Sequence, residues 1–177
     1  MATIKWQLDP AHSEVLFKVR HMMVSNVTGE FQTFNVTLET EGHDFSTAKA
    51  TFTADIESIT TKVMQRDNHL KSEDFFDLKN HPKLTFVSRK IRKISDTGYE
   101  MEGDLTIRET TKQETFKVEN TGLIKDGSGY YRAGFSITGK IKRLEFGLKS
   151  NPALEAGGVV VGNDVNINAD IEMTHPE

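Results

Sequence analysis

The chain has 177 residues, with 22 lysines and arginines against 26 aspartates and glutamates, a net charge of −4 and no cysteine. That length suits one domain, 1–177, able to bury about 70% of the surface its unfolded chain exposes. The mild, interspersed acidity gives no electrostatic footprint for nucleic acid, and the lack of cysteine excludes disulfides, thiolate metal centres and cysteine nucleophiles.

The first residues, Met1 to Asp9, contain neither the apolar core nor the cleavage site of an export leader. The expected location is therefore cytoplasmic, or periplasmic if a leader has been removed. No later run approaches 18 consecutive apolar residues, so no transmembrane segment is expected.

In chain order, apolar residues recur with a period of two, the mark of strands with one dry and one wet face. Ile4, Trp6 and Leu8 share one side. Val15, Phe17 and Val19 follow, then Phe34, Val36 and Leu38, then Ala50, Phe52, Ala54 and Ile56. Thr60 to Ser72 breaks the period: Val63, Met64, Asp67 and Leu70 have helical spacing, with Thr60 or Thr61 placed to cap the start. This short, polar helix suits an end or flank of the sheet.

Leu84 and Phe86 resume the strand period, which Val87 and Ile91 blur. Met101, Gly103, Leu105 and Ile107 continue it, as do Phe116 and Val118, and Ala133, Phe135, Ile137, Gly139 and Ile141. Ser150 to Gly158 reads as a loop. From Val159 to Met173 every odd position except Asn163 is apolar. Short turns such as Asp96-Thr-Gly98 and Asp126-Gly-Ser-Gly129 join antiparallel neighbours. These runs exceed the usual strand of about 5–6 residues. The expected architecture is all-β: an antiparallel up-and-down β-barrel of about eight long strands, with one short helix near residues 60–72.

Such a barrel either fills its interior with side chains or holds one small ligand. Ala50, Ala54, Gly103, Gly122, Ala133 and Gly139 share the inward parity and leave room beside Phe52, Phe86 and Phe135. Large residues filling gaps opposite small ones would serve equally well, so a packed core and a lumen both remain open. If the lumen exists, its lining is expected from Phe17, Phe34, Val36, Phe52, Ala54, Ile56, Leu84, Phe86, Met101, Leu105, Phe116, Ala133, Phe135 and Ile137. Ser58, Ser88 and Asn120 share that parity and could orient a polar head.

Several segments carry a resemblance. Trp6-Gln-Leu-Asp9, His12-Ser13, Phe17, Arg20-His21 and Gly29-Glu-Phe31 open it; Ser58-Ile-Thr-Thr61, Arg66-Asp67, His69-Leu70 and Asp74-Phe-Phe-Asp77 form its centre. His81-Pro82, Gly103-Asp-Leu-Thr-Ile107 and Glu145-Phe-Gly147 extend it. In order and over essentially the whole chain, these resemble the YceI-like family. Glu109 and Gln113 depart from it, standing in one hairpin where the family favours glycine and proline. The resemblance implies a lipocalin-like barrel whose lumen binds a polyisoprenoid, such as a polyprenyl quinone or polyprenyl phosphate, or another long-chain lipid. No cofactor other than that lipid is expected, and the implied role is transport, storage or stress protection.

Candidate chemistry is sparse. The six histidines show no i, i+2 or i+4 pair, so no metal site is expected. Arg66, Asp67 and His69 read chiefly as a hydrogen-bonded clasp for the helix. Ser13 and His12, adjacent on a strand, would point to opposite faces. The leading expectation is a non-enzymatic lipid carrier. The alternatives are an enzyme acting on an apolar substrate at the barrel mouth through Arg66, Asp67 and His69, or a packed barrel acting as an interaction module in a homodimer.

Overall fold

A computed structural model describes residues 2–22, 24–148 and 161–177. The loop expected at Ser150–Gly158, and Val159 at the head of the last alternating run, lie outside them. Among the described residues, eleven strand segments form one antiparallel sheet: β1 (Thr3–Leu8), β2 (Glu14–His21), β3 (Ser25–Phe31), β4 (Phe34–Glu41), β5 (Asp44–Asp55), β6 (Ile59–Thr60), β7 (Lys83–Lys93), β8 (Gly98–Ile107), β9 (Thr110–Lys125), β10 (Tyr130–Lys142) and β11 (Val161–Pro176).

These segments are eight passes of the chain. β1 and β2 are one pass bent at a 3₁₀ turn over Pro10–His12, where proline fixes its own φ and lacks the N–H a ladder would need. β3 and β4 form one pass bent at Gln32 and Thr33, and β5 and β6 one pass bent at a 3₁₀ turn over Ile56–Ser58. β11 closes the ring, pairing with β10 along one edge and with β1 and β2 along the other. Closure removes the edges that long one-sided strands would otherwise expose. The eight-stranded antiparallel barrel expected from the sequence is the observed fold.

Two bulges correct the parity count. The register shifts between Ser88 and Lys90, so Ile91 rather than its even neighbours turns inward and the blur in β7 disappears. A second shift between Gly134 and Phe135 flips the far half of β9. Gly122 is consequently exposed, not inward as counted, and Leu123 packs on the core instead.

Inward glycines are also not empty space. A Cβ at Gly103 would lie 2.5 Å from Phe86 Cζ, and one at Gly139 would lie 2.3 Å from Phe116 Cδ1. At Gly29 it would meet Phe17 Cζ at 2.2 Å. Each glycine is a seat for an aromatic ring on the neighbouring strand, an arrangement that pins register as well as filling volume.

The helix α1 spans Met64–Lys71, inside the expected window. Its N-cap is Val63, which has no side-chain cap, so neither Thr60 nor Thr61 caps it. Both hydroxyls go instead to the Asp67 carboxylate, at 3.3 Å from Thr60 and 2.5 Å from Thr61. No helix among the described residues is long and apolar enough to cross a membrane.

Candidate functional site

Inside the barrel lies a cavity of about 190 Å³, walled almost entirely by apolar side chains from every pass of the sheet. An engineered apolar cavity of comparable size, about 150 Å³, stays dry and takes up a small apolar molecule. Nine of the residues expected to line a lumen do line this one: Val36, Phe52, Leu84, Phe86, Met101, Leu105, Phe116, Phe135 and Ile137.

Five expected lining residues stand elsewhere. Ala54 and Ala133 are wholly buried but stand outside the cavity wall. Ile56 falls in the 3₁₀ turn that ends β5, its N–H donating to the Pro82 carbonyl at 2.9 Å. Phe17 is spent on Gly29 and lies 5.7 Å from the Phe31 ring. Phe34 sits outside the void, its ring 5.9 Å from that of Phe52.

Other wall residues were not chosen from the sequence. Val15, Ala169, Ile171 and Met173 had the right parity throughout, whereas Ile91 was masked by its bulge and Phe45 stands at the start of its strand. The polar residues of inward parity serve the backbone. The Ser88 hydroxyl accepts from Ala50 N–H at 2.9 Å, and Ser58 donates to the Asp55 carbonyl at 2.7 Å. Asn120 braces the β9 bulge, donating to the carbonyls of Gly122 and Gly134 at 3.2 and 2.9 Å.

One end of the barrel carries a ring cluster that no local spacing reveals. The Trp6 indole donates to the buried Thr40 hydroxyl at 2.8 Å, and its ring lies 5.8 Å from Phe45. Above it, His43 Nε2 and His175 Nε2 are 2.8 Å apart although 132 residues separate them. His175 Nδ1 faces the Pro176 carbonyl at 2.7 Å, which can only accept, so Nδ1 carries the proton. His175 Nε2 is then an acceptor and His43 Nε2 the donor. Burial, helped by the facing His175, holds the His43 pKa below its ordinary value. The odd parity of β11 does extend to His175, so its inward direction was readable; its partner was not.

Of the motif Arg66, Asp67 and His69, the first two form a clasp with Thr60 and Thr61. Thr61 N–H donates to Asp67 at 2.7 Å, and Arg66 donates to the Thr61 hydroxyl at 2.7 Å and to its carbonyl at 2.9 Å. His69 turns away to Asp74, 3.1 Å distant. These hydroxyl and backbone hydrogen bonds hold the Asp67 carboxyl below the usual carboxylate range despite burial. At the bend between β1 and β2, Asp9 and His12 converge with Glu172 of β11 like metal ligands. The Arg132 guanidinium occupies that position, 3.0 Å from Asp9 and 2.9 Å from Glu172. Ser13 donates to the Asp9 carbonyl and accepts from Glu172 N–H, while the His12 ring faces the Asp9 carboxylate, so the two make no nucleophile–base pair.

The family model of the YceI-like domain matches residues 6–173. The chain belongs to the YceI-like family. A UPF0312 protein of Staphylococcus aureus strain USA300 is 44% identical over 170 residues, covering 96% of each chain. Among solved structures, the YceI protein of Campylobacter jejuni superposes with a TM-score of 0.78 at 32% identity, over 90% of this chain and 91% of that one. A polyisoprenoid binding domain from Saccharophagus degradans shares the fold, with a TM-score of 0.71 at 14% identity over 97% and 98% of the two chains.

Proposed function

We propose that this protein binds one long-chain apolar lipid, a polyisoprenoid, inside the barrel and carries or stores it. The observation that carries the proposal is the apolar cavity within a closed sheet, with its wall drawn from all eight passes. Burial contributes about 25 cal/mol per Å² of apolar surface, so a chain can be held without any polar contact. The polyisoprenoid binding domain of the same fold supports the choice of lipid class. A chain longer than the void would be accommodated by rotation of Phe45 and Phe135, two wall rings that meet edge to face.

Extraction of the purified protein with organic solvent, followed by mass spectrometry, tests this reading. An isoprenoid of defined length near one per protomer is the expected result. Protein that carries none, and whose single tryptophan, Trp6, is unquenched by an added isoprenoid or alkyl quinone, overturns it.

A further inference from the structure

The barrel wall is not continuous. β1 pairs with β4 only through Thr3–Trp6 against Leu38–Glu41, and β2 pairs with β3 only through Leu16–His21 against Ser25–Glu30. Between these ladders, residues 7–15 of the first pass face residues 31–37 of the second. Among the described residues, no register pairing or backbone hydrogen bond joins the two. Each lip is tied to its outer neighbour instead. Asp9 N–H donates to the Glu172 carbonyl at 2.9 Å; Gln32 N–H donates to the Ser58 carbonyl at 3.2 Å, and Thr33 accepts from Asp55 N–H at 3.0 Å.

The gap is a hollow lined by Pro10, Ser13, Glu14, Gln32, Thr33 and Phe34, together with Glu30 and Phe31. Phe31 is the one side chain that lines both this hollow and the cavity within. Beside it, Phe34 on the hollow meets Phe52 on the cavity, ring to ring at 5.9 Å. Phe31 therefore stands as the partition between the surface hollow and the lumen.

Both ends of the barrel are covered by other contacts. The His43–His175 hydrogen bond and the Trp6–Phe45 contact cross one end. At the other, Arg108 in the β8–β9 turn donates to the carbonyls of Phe75 and Gly147 at 3.2 and 3.1 Å, strapping the segment after α1 across the barrel. Loading through either end would break these sets together. Loading through the gap displaces the Phe31 ring from those of Phe17 and Phe76, 5.7 and 6.3 Å away.

We infer that the gap between the first two passes is the lateral gate through which an apolar chain enters and leaves the lumen, with Phe31 as its leaf. This rests on the carrier reading above. The native chain has no cysteine, so Glu14→Cys with Thr33→Cys introduces only the two thiols of the lips. A bis-maleimide bridges them, and decylubiquinone is the probe, its arrival read by quenching of Trp6 in stopped flow. Bridging is expected to slow loading at least about tenfold relative to the unbridged variant, with the final quench retained. Loading at the unbridged rate overturns the gate.

Phe31→Leu gives a second readout that does not depend on the bridge. It is expected to load several-fold faster than the native chain, and an unchanged rate overturns the gate. Absence of quenching in the native protein overturns the carrier reading itself, a result distinct from normal loading in the bridged variant.

Discussion

The sector from β8 to β11 and the seam between the first two passes are built from the same alternating sequence, yet they behave as opposites. In the first, consecutive hairpins pair along nearly their whole length, thirteen registered pairs joining β10 to β11 alone. Phe116 seats on Gly139, and Met173 is fully buried. In the seam, Pro10 and the bend at Gln32 and Thr33 turn each pass toward its outer neighbour, and the ladder lapses. A barrel can thus be rigid where local pairing agrees with closure and open where a bend intervenes, without losing its topology.

The sharpest way to break this contrast is to remove an anchor from the rigid sector. Phe116→Ala unseats Gly139 and enlarges the void, and it should cost about 3–5 kcal/mol in urea unfolding. A loss below 1 kcal/mol would mean that sector is no more ordered than the seam.

A smaller effect is expected from the network that ties the first lip to β11. The hydrogen bond from His12, with support from Glu172 and Arg132, lowers the Asp9 pKa from 3.8 to about 2. Its contribution is fully present above pH 3.8 and is lost as pH falls through 2, because the unfolded chain takes up the proton first. The urea midpoint should therefore fall more steeply over that window in the native protein than in Asp9→Asn. Equal slopes would show that this network does not hold the lip.

The smallest change belongs to the lip itself. Thr33 is exposed and its side chain lines the gap, so Thr33→Ala should stay within about 0.5 kcal/mol of the native stability by the same measurement. A loss beyond 2 kcal/mol would give the seam the structural weight of the wall.

The period of two determined the fold class, since a strand with one dry face has few ways to bury it, and eight such passes, most of them joined by short turns, close on themselves. The β11 pattern from Val165 to Met173 is the plainest case: its odd residues are all in the core or packed against it. Nine wall residues of the cavity followed from the same count. Parity failed where one extra residue entered a strand, at Arg89 and in the β9–β10 ladder, because a bulge flips every later side chain and leaves no mark in the hydrophobic pattern.

Tertiary structure alone decided three things. It set the aromatic rings into the glycines that had counted as empty space, brought His43 to His175 across the closed ring, and opened the seam. Each depends on which strand lies beside which and in what register, a relation between distant segments that no single stretch of sequence contains.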